Sequence, residues 1–189
     1  MAVICTVDRS EYWQQLSTNG QHQVTESLST LPSTHNGLTY IQNALSIDEL
    51  KSLISTHEEV TVIVPPPYIS LRYLIEADHL KALSKVQKQL EDLYSLHKKY
   101  RKTMALIPLS AFCCGCSTDT SSLPWLEKVI DTSKVAENVN SVISHSLYSQ
   151  NAGMIKAYKK LQSCFSLKDE EPLFYPSIDE PLNLILLDA

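Results

Sequence analysis

The chain has 189 residues, 43% hydrophobic and 20% charged, with a formal net charge of −5; this suits one globular domain or a domain with an extension and offers no general attraction to nucleic acid. Its four glycines, Gly20, Gly37, Gly115 and Gly153, stand too far apart for G-x-G-x-x-G or G-x-x-x-x-G-K-[ST], which excludes dinucleotide fingerprints and Walker A loops. The longest apolar runs, Val60 to Pro67 and Leu184 to Leu187, fall far short of the roughly 20 residues that span a bilayer, and Met1 to Val7 has no basic region of a secretory signal, so a cytoplasmic protein without a membrane partner is expected.

Ala2 to Val7 is a short continuous apolar run and reads as a buried strand. Asp8 and Glu11 have capping-box spacing, so a helix is expected directly after it. Asn19 to Asn36 is polar and weakly periodic, with one or two helical turns expected over Thr25 to Leu31. Gly37 to Ile41 reads as a second strand. Ser46-Ile47-Asp48-Glu49 is a capping box, and Leu45 and Leu50 stand where a hydrophobic staple would place them. The helix starting there should bury Ile47, Leu50, Leu53 and Ile54 and end near His57. Val60 to Val64 is the strongest strand, stopped by Pro65-Pro66-Pro67, which cannot continue a ladder. Leu71, Leu74 and Ile75 form one helical stripe; after a break near Glu76 to His79, a second runs through Leu80, Leu83, Val86, Leu90, Leu93 and Tyr100. Met104 to Leu109 reads as a fourth strand.

This alternation predicts an α/β fold: a mainly parallel, Rossmann-like sheet of about four strands with helices on both faces. Residues 1–112 form that core. Residues 113–168 form a helical C-terminal layer, with Val135, Val139, Val142, Ile143 and Leu147 on one stripe, a stop at Asn151-Ala152-Gly153, and a last helix facing Ile155, Tyr158, Leu161 and Phe165 inward. Residues 169–189, acidic and containing three prolines, are expected to dock on the body through their apolar end as an extra strand.

Five cysteines, an odd number with three in Cys113, Cys114 and Cys116, do not suggest a disulfide framework. Of these three, only Cys113 and Cys116 have metal-ligand spacing, and a four-ligand site would need Cys5 and Cys164 from afar. A cysteine phosphatase needs arginine six residues after its nucleophile, where this chain has Asp119, Thr120 or Ser122. Structural thiols and no metal are the expectation. The six histidines have neither H-x-x-H nor H-E-x-x-H spacing and read as surface or boundary residues, and no cofactor is implied. The lysine-rich helix from Leu80 to Arg101 reads as a solvated face whose basic end suits the helix dipole, while its apolar stripe offers a surface for a protein partner or a second copy.

The segment from about residue 60 to 112 is similar to sulfotransferase-like α/β proteins and their degenerate relatives in bacterial surface-polysaccharide gene clusters. The strand Val60 to Val64, the turn through Tyr68, and the helix closing with Leu93-Tyr94-Ser95-Leu96-His97-Lys98-Lys99-Tyr100-Arg101-Lys102 before strand Met104 to Leu109 carry that resemblance. The family's sulfate-donor loop has Lys, Gly and Thr where this chain has Asp8-Arg9-Ser10, and its Arg-Tyr-Glu-Asp-Leu type segment is replaced by Leu109-Ser110-Ala111-Phe112-Cys113. The missing catalytic parts point to a non-catalytic binding or accessory protein in a bacterial polysaccharide or glycan pathway. The competing reading is a sulfotransferase- or glycosyltransferase-like transferase, with a small anionic ligand held by Asp8, Arg9, Ser10, Tyr68, Arg72 and Ser110. A third is a thiol or metal protein using Cys113, Cys114 and Cys116.

Overall fold

The structure, a computed structural model, describes residues 2–7, 23–31, 38–75, 79–113 and 139–167. Five strands form one sheet: β1 (Ala2–Thr6), β2 (Gln23–Thr25), β3 (Leu38–Ile41), β4 (Glu59–Val64) and β5 (Met104–Pro108). Every pairing is parallel and the order is β2-β3-β1-β4-β5. The fold is the expected Rossmann-like α/β type with one more strand than sequence periodicity indicated. The added strand, Gln23–Thr25, ends where the expected helical turns begin, and within Thr25 to Leu31 one turn forms, Leu28–Thr30, as a 3-10 helix. Three residues carry no readable period, and their strand conformation comes from pairing with Thr39 to Ile41.

Consecutive strand residues point to opposite faces of a sheet. Val3, Ile4 and Cys5 are all 0% exposed, so both faces of β1 are covered, as an internal parallel strand requires. Burial without a charge partner pushes the Cys5 thiol pKa strongly upward, making it an inert core residue.

The helices are α1 (Ile47–Thr56), α2 (Pro67–Leu74), α3 (His79–Tyr100), α4 (Val139–Gln150) and α5 (Ala152–Gln162). The capping box at α1 forms as expected: Glu49 N donates to Ser46 Oγ at 3.3 Å, and Ser46 N donates to Glu49 Oε2 at 2.8 Å. α1 buries Leu50, Leu53 and Ile54 and is capped at His57, while Ile47 stays half-buried. Pro67 opens α2, the helical position where its missing N–H costs least.

α3 buries Val86, Leu90, Leu93 and Leu96 inside the domain and packs beside both α1 and α5. Its apolar stripe is therefore occupied within the chain; its exposed face carries Lys81, Lys85, Lys88, Glu91 and Ser95.

α4 lies against α2 and departs from expectation. Ser144, His145 and Tyr148 are buried, whereas Ile143 is exposed and Val142 and Leu147 are half-buried. Apolar and small polar residues are spread around this helix, so periodicity did not fix its inward face. The expected break falls at Asn151, between the end of α4 at Gln150 and the start of α5, which Asn151 caps with its Oδ1 accepting from Met154 N at 2.9 Å. Gly153 falls inside α5, where an added Cβ would come 2.9 Å from Gln87 Oε1 on α3. α5 buries Met154, Ala157, Tyr158 and Leu161.

Phe165 lies beyond α5 and bridges in parallel to Leu106, with Ser166 N donating to Leu106 O at 2.8 Å. An added strand-like pairing at β5 thus comes from residues 165–166; the expected docking of residues 169–189 lies outside the described residues. No described helix is long and apolar enough to cross a membrane.

Candidate functional site

Parallel sheets place ligand crevices beyond the strand carboxyl ends, at the point where strand order reverses. Here β1 is that point: β3 lies on one side of it and β4 on the other. The adjacency of β1, β4 and β5 brings the segments leading to Tyr68 and Ser110 to neighbouring strand ends. Asp8, Arg9 and Ser10, which follow β1, lie outside the described residues, as do the expected helix start there and Cys114 and Cys116.

The described part of this region is packed. From Tyr68 to Leu71 and from Leu109 to Cys113 no residue is more than 7% exposed. The Tyr68 ring meets His145 edge-on, with centroids 5.4 Å apart, and lies 6.1 Å from Tyr148; Tyr148 continues to Tyr158 at 6.5 Å. Such edge-to-face and tilted pairs are the favoured aromatic geometries. Burial depresses the His145 pKa, favouring neutral imidazole. His145 is thus a core residue rather than the expected surface or boundary residue, and the signal missed was its i, i+3 relation to Tyr148 on α4.

Arg72 lies one turn beyond Tyr68 on α2 and is half-buried, while Ser110 sits in the 3-10 turn Leu109–Phe112. The β1 end is also tied down: Thr6 Oγ1 donates to Ile63 O at 3.3 Å, Leu45 N to Thr6 O at 2.8 Å, and Gln89 Nε2 to Val7 O at 2.6 Å. Cys113 is buried, with its thiol directed to Leu109 O at 3.5 Å. Among the described residues no group of three or more His, Cys, Asp or Glu side chains is placed to hold a metal.

An open groove of about 600 Å³ lies elsewhere, between α1 and α3. One wall comes from the first turns of α1 with Asp48 and Lys51; the other comes from α3 with Lys88, Asp92, Ser95 and Lys99. Leu96, Ile47 and Tyr100 supply its apolar lining.

Lys51 Nζ and Asp48 Oδ1 are 2.7 Å apart, the one ion pair among the described residues. This hydrogen bond and charge pairing lower the Asp48 pKa and raise that of Lys51, with a further contribution to Lys51 from Asp92. Lys88 and Lys99 are exposed and make no ion pair among the described residues. Lys99 Nζ sits 5.1 Å from the Tyr100 ring centroid, a cation–π distance. At the mouth, donation from the Ser46 hydroxyl and backbone N–H holds Glu49 below the usual carboxylate range. No sequence motif announced this groove, because its walls come from separate stretches that each read as a solvated charged face.

Comparison with protein-family models, curated proteins and solved structures finds no match for this chain.

Proposed function

We propose that this chain is a non-catalytic binding protein, acting as an accessory in the bacterial polysaccharide or glycan pathway that its resemblance to sulfotransferase-like proteins implies. The observation that supports this reading is the contrast between filled strand-end turns and an open, charged groove on the helical surface. A transferase must admit a substrate and exclude water around it, and the described turns after β4 and β5 present little exposed surface to a substrate. A binding protein needs only an accessible surface.

The competing transferase reading draws on the same topology, since Tyr68 and Ser110 follow β4 and β5, which lie in sequence on one side of β1 in the sheet. Thermal unfolding with millimolar adenosine 3′,5′-bisphosphate or a nucleotide sugar separates the two. No stabilisation is expected. A rise in melting temperature that disappears in Arg72→Gln and Ser110→Ala would overturn the binding-protein reading, because a ligand stabilises only a state that it binds. The pathway setting is tested separately by the genes adjoining this one.

A further inference from the structure

We propose that the groove between α1 and α3 is a docking site for an acidic peptide segment of a partner protein: an extended stretch with two carboxylates about six residues apart and apolar side chains on the same face between them. The inference rests on the binding-protein reading above and names the ligand class.

Lys88 and Lys99 set the spacing. Both are exposed and unpaired among the described residues, and eleven residues of helix separate them by about 16 Å along the axis. An extended peptide places side chains on one face only at even separations, and six residues, about 20 Å, bracket that distance within the reach of two lysine side chains. Carboxylates at its two ends would meet the two ammonium groups.

Between those lysines Leu96 and Ile47 add apolar lining beside Asp92 and Ser95. Apolar side chains set among charged and polar ones suit a protein interface better than a simple ion site. The helix N-terminus adds no separate anion pocket, because Ser46 caps it and Glu49 already brings a carboxylate there.

The acidic groups argue against a uniform polyanion. Asp92 lies in the groove between Lys88 and Lys99, and Asp48 engages Lys51 on the opposite wall. A nucleic-acid backbone would bring phosphates against these carboxylates. A peptide instead offers backbone N–H donors to Asp92 while its own acids reach the lysines.

The full chain, labelled with ¹⁵N, is titrated with the capped peptide Glu-Ser-Leu-Ser-Leu-Ser-Glu and followed by NMR. Amide shifts are expected at 46–51 and 88–100. The double variant Lys88→Glu/Lys99→Glu should weaken binding at least about tenfold, whereas Lys156→Glu/Lys160→Glu, the same charge change on exposed positions of α5, should alter it less than about twofold. Spectra of both variants verify their fold. Replacing both peptide Glu by Gln, or both Leu by Ser, should weaken binding likewise.

No shift at millimolar peptide would overturn the proposal. So would equal weakening by both double variants, which would indicate a diffuse charge effect, or equally tight groove binding by oligothymidylate, which would indicate a polyanion site. The same amides moving when protein concentration alone rises would replace the partner protein with a second copy. These outcomes leave the strand-end reading intact, since the nucleotide titration decides that reading.

Discussion

The strand-end region and the α1/α3 groove differ in what fills them. After β4 and β5, the described prolines and large apolar or aromatic side chains are buried beside the strand ends where parallel sheets commonly hold a ligand. Between α1 and α3, serines and long lysines face one another, and side chains whose charged ends seek water do not fill a gap. Topology selects a place where a site can form, but side-chain volume and polarity decide whether space remains there.

The sharpest way to break this contrast is to remove bulk from the closed side. Phe112 is completely buried, so Phe112→Ala should lower the unfolding free energy by about 3–5 kcal/mol in a urea titration. Lys99→Ala on the open side should stay within about 0.5 kcal/mol. Similar losses for both would show that the two regions are not packed differently.

A smaller effect comes from pH. Burial depresses the folded-state pKa of His145, so the unfolded chain takes up a proton that the folded chain resists. The associated stability is full above the ordinary imidazole pKa of about 6.5 and is lost as pH falls through it toward the depressed folded value. Urea midpoints should therefore fall between about pH 7.5 and 5.5, and His145→Gln should make that fall shallower. His97, lowered by burial as well, contributes with the same sign. An unchanged slope in the variant would show that His145 is accessible to protons and the Tyr68 cluster less closed than described.

The smallest expected change belongs to the groove mouth. Ser46→Ala removes the cap acceptor for Glu49 N and should cost about 1 kcal/mol in thermal unfolding. It should also let the Glu49 carboxyl titrate closer to its ordinary value in NMR. No change in either quantity would show that the capping box does not organise this end of the groove.

Much of the sheet was legible because its central strands are short, continuous apolar runs, and α1 was legible because its capping box is local chemistry. β2 was not, since Gln23–Thr25 becomes a strand through its neighbour. The inward face of α4 was ambiguous because its apolar residues do not form one clear stripe. For the site, residues such as Tyr68 and Ser110 could be assigned to strand ends from element order alone, but the packing of Tyr68 depends on His145 and Tyr148 of α4, distant in sequence. The groove was least legible, for it exists only when the segment around Lys51 meets the segment from Lys88 to Tyr100 in space.

The bridge from Leu106 to Phe165 also imposes an order of assembly. All five strands have been synthesised once residue 108 is made, yet the Leu106 carbonyl waits for the amide of Ser166. Until that later segment leaves the ribosome, β5 has unpaired backbone groups that could template contact with another chain. Its arrival gives the outer edge of β5, last of the described strands, a guarded margin.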